Sequence, residues 1–306
     1  MSETRLRLVS WNVHDVPGAP RRPERIEAIA ELLALRAPDL VLLQEVWSNR
    51  AADTLAASLG PHGYDSVEIP DGRGIALRKA GLLAFVSGAA GWHASAPRFH
   101  EFEVEAPAWK VWEGDGLGDK GVLGFRLARG DFACEVLLTH LQAAYEPRGY
   151  ATVRRAQLAE LRAQVEAAAA RHRPEAVPVL VAGDLNTTPD EAGFDELRDL
   201  DDLSAPLRQR CGCGTVFEDE GKAPWIDYLL ALPEGWQIGA ELALIQNEHP
   251  DVPYSDHQGL EAAVMFTPPT LHAALPALLA ATLAGPVTRR ELLARATAFA
   301  ASTLGL

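Results

Sequence analysis

The sequence predicts an α/β protein with mixed parallel and antiparallel strands, and three observations carry that expectation. The chain opens strand–helix–strand, the unit that makes parallel neighbours beneath a helix. Two apolar runs, 120–128 and 132–140, flank a tight Arg129-Gly130-Asp131 turn, which reads as an antiparallel hairpin. Polar residues recur directly after apolar strands: Gln44 and Glu45 after VLL, His140 after EVLLT, Asp184 after VLVAG. In layered α/β proteins such positions share one sheet edge, where sites are built.

Taken in order, RLRLVSW (5–11) alternates and is rich in Leu and Val, as a strand should be. Ile26, Ile29, Leu32, Leu33 and Leu35 fall near helical spacing, and Pro38 closes that helix. LVLLQE (40–45) is a buried strand ending in polar residues, and 50–60 form a short helix ending at Gly60. Strands follow at 81–87 and, alternating, at 98–105. After the hairpin, the Ala-, Leu- and Arg-rich stretch 151–171 is a long helix. VPVLVAGDLN (177–186), WIDYLLAL (225–232), QIGAELALI (237–245) and LEAAVMF (260–266) are further strands. The tail from 268 to 306 changes character: two Ala/Leu-rich segments flank Gly285-Pro286 and read as a helical hairpin added to a 1–267 core. Packing against the core or a partner is favoured for it over contact with lipid.

Composition bounds the function. The 306 residues can bury a core without disulfides or metal staples. A net charge of −14 with no basic run disfavours nucleic acid as a partner. Three cysteines argue against a disulfide framework. Cys134 reads as a core residue, and the Cys211/Cys213 pair lacks the second Cys or His pair that a zinc site needs. No apolar leader or membrane-length apolar stretch is evident, so a cytoplasmic location is expected.

The residues with chemistry to offer are Asn12, Glu45, His140, Asp184, Asn186, Asp227, Asp256 and His257. Carboxylates and carboxamides are hard oxygen donors suited to Mg²⁺ or Mn²⁺. Histidines bind phosphate or move protons near neutral pH. Oxygen donors plus histidine, without cysteine, fit metal-assisted phosphoryl chemistry better than structural zinc. Each element is weak alone, since Gly-Asp-Leu-Asn is usually a turn and Ser-Asp-His a loop or cap. Their order and shared strand-end placement carry the argument. His62, His93, His100, His172, His249 and His272 lie outside these motifs and read as structural, whereas His14 is close enough to Asn12 to line a pocket.

That order resembles the endonuclease/exonuclease/phosphatase superfamily. The segments are SWNV (10–13), LLQEVWS (42–48), LLTHL (137–141), VAGDLN (181–186), WIDYLL (225–230) and SDHQGL (255–260), which run in family order across residues 5–266. QEVWS, THLQAAY (139–145) and an Asp115/Lys120 pair spaced five apart before a strand are similar to the neutral sphingomyelinase branch. Asp119 competes with Asp115, and NVHDVP (12–17) matches that branch only loosely.

The resemblance implies a deoxyribonuclease-I-like four-layer α/β/β/α sandwich with the C-terminal helical extension appended. It implies Glu45 as the main Mg²⁺ ligand (Mn²⁺ as substitute), assisted by Asn12 and Asp256. It gives His140, Asn186 and Lys120 to the phosphate and its developing charge, and Asp184 with His257 to the attacking water. Asp227 would fix the tautomer of His257. Asp115, His14 and Trp112 are expected at the substrate, with Trp109 and Trp112 as core or as an apolar lip for lipid. The expected reaction is metal-dependent hydrolysis of a sphingomyelin-like phosphodiester, with peripheral membrane contact. A DNA endonuclease and a phosphatase or phosphodiesterase of a soluble metabolite are the alternatives.

Overall fold

In a computed structural model of the chain, residues 3–75, 77–105, 119–144, 149–173, 175–217, 223–246, 249 and 252–269 are described. The expected C-terminal hairpin, Asp115, Trp109 and Trp112 lie outside them.

Alternation along the strands decides the layering. In β1 (Thr4–Asn12), Leu6 and Leu8 face one way while Val9 and Trp11 face the other. β2 (Leu40–Gln44) divides the same way, Leu40 and Leu42 against Val41 and Leu43. The second face carries α1 (Arg22–Arg36) and α2 (Asn49–Leu59) through Ile26, Ile29, Leu33, Leu55 and Leu59. The first meets the inner face of a second sheet: Phe125 of β6 (Gly121–Arg129), Leu138 of β7 (Phe132–His140) and Leu180 of β8 (Val179–Asp184). The outer face of that sheet, with Leu137 and Val181, packs under Leu158, Leu161 and Val165 of α3 (Ala151–Arg171). The result is helix, sheet, sheet, helix, the expected four-layer sandwich.

Each sheet has six strands among the described residues. β3 (Tyr64–Val67), β4 (Leu83–Ser87), β11 (Gln237–Ile245) and β12 (Gly259–Thr267) complete the first, in order β11-β12-β1-β2-β4-β3. β5 (His93–Glu101), β9 (Asp201–Asp202) and β10 (Asp227–Leu232) complete the second, β5-β6-β7-β8-β10-β9. β1 and β2 are parallel through α1, β7 and β8 parallel through α3, and the other pairs antiparallel.

Three details differ from the sequence reading. The strand expected over 98–105 runs instead from His93 to Glu101, because a bulge between Ser95 and Arg98, at Pro97, interrupts its alternation. The short β3, β9 and α4 (Ala205–Cys211) carry too little periodicity to be read in advance. Cys211 and Cys213 are joined by a disulfide, where the low, odd cysteine count argues against disulfides.

Gly183 has no tolerable replacement. Its φ is +146°, and a Cβ there would lie 1.9 Å from the Thr139 carbonyl oxygen on β7. Gly183→Ala is expected to lower unfolding free energy by about 3 kcal/mol or more. Urea denaturation measures this, and a loss below about 1 kcal/mol would show that the β7–β8 ladder absorbs the methyl.

Candidate active site

The inter-sheet face ends in polar residues rather than in a polar rim of loops. Asn12, His140, Asp184 and Asp227 follow the alternation of the inward-facing core positions, so the ends of β1, β7 and β8 and the start of the antiparallel β10 present them between the sheets. Register aligns three of them across the second sheet: His140 sits opposite Asp184, and Asp184 opposite Asp227. Strict alternation would send Glu45 to the helix side. Its φ of 58° breaks β2 instead and returns its carboxylate to the inner face, where Oε1 accepts from Asn12 Nδ2 at 3.0 Å. Asn12 Nδ2 also donates to Asp184 Oδ2 at 3.1 Å, so one amide joins a carboxylate of each sheet. Its Oδ1 accepts from the His14 N–H at 3.0 Å.

His257 closes the group from the segment before β12. Its Nδ1 meets Asp227 Oδ2 at 2.9 Å, and Nε2 lies 3.7 Å from Asp184 Oδ2. Burial opposes its charge, but the Asp227 and Asp184 carboxylates and the Asp227 hydrogen bond outweigh burial and hold the imidazolium up to about 10. Trp11 Nε1 donates to the His257 carbonyl at 2.9 Å, and the Ser255 hydroxyl donates to the Asn12 carbonyl at 2.7 Å. These bonds tie the loop to the end of β1.

His140 behaves oppositely. Burial, then the charges of Lys120 and His257, push its pKa well down, so it is a neutral imidazole. Its approaches to Asp184 (3.6 Å) and Glu45 (3.9 Å) are therefore not ion pairs. Asn186 Nδ2 and Lys120 Nζ converge on the Leu141 carbonyl at 3.1 and 2.8 Å, which brings a second amide and a buried ammonium beside His140. Asp256 lies at the rim, its Oδ1 3.3 Å from His14 Nδ1.

Two donor sets could hold a cation. Asp184, Asp227 and His257 each offer a ligand atom within 4.8 Å of one another, but Asp227 and His257 already satisfy each other. Glu45 Oε2 is buried with no hydrogen-bond partner among the described residues. Burial drives the Glu45 pKa up to about 7, and the nearby Asp256 charge adds to that push. Burial and the Asp227 charge raise Asp184 likewise. An unpartnered hard oxygen among crowded carboxylates is what a divalent cation relieves, so the oxygen donors around Glu45 fit a divalent cation.

The structure thus brings together Asn12, Glu45, Lys120, His140, Asp184, Asn186, Asp227 and His257, with His14 and Asp256 at the rim. Sequence reasoning missed Asp15. This buried carboxylate accepts from the Ser48 N–H and hydroxyl and pairs with Arg22, anchoring the chain after β1 to the start of α2. Ser48 as an N-cap was the available signal. His172 and His100 serve other ends, bonding Glu135 and Glu160.

The sequence profile of the Endonuclease/Exonuclease/phosphatase family matches residues 9–257, which takes in every one of these positions. The chain belongs to that family. Family members are phosphodiester hydrolases. A Drosophila melanogaster protein assigned as a neutral sphingomyelinase is 28% identical over 197 residues, 62% of this chain and 41% of its own length. Sphingomyelin phosphodiesterase 2 of Rattus norvegicus is 26% identical over 296 residues, 87% of this chain and 66% of its own. The chain therefore spans less than two thirds of either relative. Among solved structures of the fold are zebrafish (D. rerio) TDP2 with a single-stranded DNA product and sphingomyelinase C of Streptomyces griseocarneus. The first has TM-score 0.65 and 17% identity, covering 85% of this chain and 99% of that one. The second has TM-score 0.57 and 19% identity, with the same coverage. Both likenesses speak to the family fold alone.

Proposed function

We propose that this protein is a Mg²⁺-dependent phosphodiesterase that cleaves a sphingomyelin-like phospholipid to ceramide and phosphocholine. One observation supports the chemistry above the others: Glu45 keeps one buried oxygen unpartnered, while its other oxygen lies 3.9 Å from His140 Nε2, beside the aligned Asp184 and Asp227 and the Asp227–His257 pair. When bound, the cation supplies positive charge to the phosphoryl and leaving oxygens. Glu45 is its main ligand, with Asn12 and Asp256 in support. Neutral His140 donates one ring N–H to a non-bridging oxygen, Asn186 offers an amide N–H, and Lys120 adds charge from 1% exposure, where water screens it least. Asp227 holds Nδ1–H of His257, which aims Nε2 at the reacting side. Asp184 orients the water and takes its proton, while the His257 imidazolium, protonated at neutral pH, donates one.

The lipid substrate is supported by the two curated relatives, both named for sphingomyelin cleavage, and by a net charge of −14, which repels polyanions. No helix among the described residues is long and apolar enough to cross a membrane. The DNA in the TDP2 relative makes nuclease activity the second reading. A Mg²⁺-dependent panel separates them: sphingomyelin, lysophosphatidylcholine, plasmid DNA, abasic-site DNA, inositol phosphates and bis-p-nitrophenyl phosphate, with Glu45→Gln and His257→Ala as controls. Choline-lipid turnover lost in both variants is expected. DNA cleavage lost in both would replace the lipid reading, and turnover of inositol phosphates alone would favour a soluble metabolite.

A further inference from the structure

We infer that Thr215 is the positioning residue for the Asp227–His257 pair, an inference that rests on the phosphodiesterase reading above. Thr215 is fully buried, and it grips both loops that carry the pair. Its Oγ1 accepts from the Ile226 N–H at 3.1 Å and the Asp227 N–H at 3.3 Å. Its own N–H donates to the Pro224 carbonyl at 2.9 Å. These three bonds fix the start of β10, where Asp227 leaves the loop. Its carbonyl accepts from the Gln258 N–H at 2.7 Å, Val216 forms a bridge with His257, and the Phe217 N–H donates to the Asp256 carbonyl at 2.8 Å. The strap 215–217 therefore runs beside 256–258 as a short antiparallel ladder.

Asp227 and His257 are far apart in sequence and belong to different sheets: β10 lies in one, and His257 precedes β12 of the other. A hydrogen bond between two such side chains survives only if their backbones are held at a fixed separation. Thr215 supplies that hold with one side chain and one carbonyl. The hydroxyl is the necessary part. Valine has nearly the same shape but accepts nothing, which leaves the Ile226 and Asp227 N–H groups buried without this acceptor. The start of β10 then relaxes, and the Asp227 carboxylate drifts from Nδ1. Thr215 touches no substrate in this role; it sets the geometry through which Asp227 orients His257.

The test compares Thr215→Val, Thr215→Ser and the wild-type full chain, with fold checked by circular dichroism and thermal melting. Thr215→Val is expected to lower kcat about 10²-fold with KM within about 2-fold, while Thr215→Ser restores most of kcat. A second readout needs no turnover: the low-field proton resonance of the His257 Nδ1–H···Asp227 bond, assigned by its loss in His257→Ala. It is expected to vanish in Thr215→Val and persist in Thr215→Ser. A folded Thr215→Val with wild-type kcat and an intact low-field proton overturns the inference. So does a Thr215→Ser as impaired as Thr215→Val, which would make the site one of packing volume. Should Thr215→Val not fold, Thr215→Cys, a weaker acceptor of similar size, is expected to fall between the two. If the wild type turns over no phosphodiester, the functional reading fails, yet the proton resonance still decides the placement of Thr215.

Discussion

Glu45→Gln is expected to lower kcat/KM of metal-dependent phosphodiester hydrolysis by about 10³-fold and to abolish the stabilisation that Mg²⁺ gives the wild type. The amide keeps the shape and can still bond Asn12, but it brings no charge to the cation. Saturating Mg²⁺, at about 100 times its Kd, should raise the wild-type melting temperature by on the order of 5–10 °C. That rise has a pH dependence whose sign follows from Glu45. Its folded pKa of about 7 lies above the unfolded value of about 4.3. Such a group contributes stability to the metal-free protein that is fully present below the unfolded pKa and is lost as pH climbs through about 7. Metal needs the deprotonated form, so the Mg²⁺ increment should grow from about pH 6 to about pH 8 in the wild type. Differential scanning calorimetry with and without Mg²⁺ measures it. An undiminished increment in Glu45→Gln would move the cation to the Asp184, Asp227 and His257 donors.

Asp227→Asn is expected to cost about 10²–10⁴-fold in kcat with little change in KM. The carboxylate accepts from Nδ1–H of His257 and, with Asp184, keeps the imidazolium to about pH 10 against the pull of burial. An asparagine can present its amide N–H to Nδ1 instead, which moves the proton to Nε2 and inverts the tautomer. With one carboxylate gone, burial has less to oppose it and the His257 pKa should fall. Steady-state kinetics against pH give both numbers. A variant that lost KM and kept kcat would make Asp227 a binding residue, and the paired role would not stand.

Much of this site was legible because its residues follow strands buried on both faces. Such strands read as apolar runs, so the polar residues at their ends are conspicuous: Gln44 and Glu45 after LVLL, His140 after VLLT, Asp184 after VLVAG. The layers were less legible from pattern, which gave only an α/β protein of mixed strands; the four-layer arrangement came from resemblance. Neighbours distant in sequence left no trace. Nothing in WIDYLLAL says that Asp227 pairs in register with Asp184, or that the Trp11 indole bonds a carbonyl 246 residues away. Thr215 was invisible for a related reason. It sits in a segment without periodicity, and a threonine there reads as a loop residue until its partners are known. The proline-interrupted β5 was misplaced because alternation fails wherever a bulge resets it.

Asn12 and Glu45 come from one sheet and His140, Asp184 and Asp227 from the other, so the centre is a gap between two plates. Its width is set by whatever props the plates apart. Leu8, Leu138 and Leu180 form part of that spacer. Interiors are packed too tightly to take up a changed side chain silently, so trimming or enlarging a spacer residue would shift one plate against the other. Turnover would then respond to hydrocarbon volume deep in the molecule. A laboratory selection for faster variants should accordingly find some of its winners among these leucines as well as around the mouth.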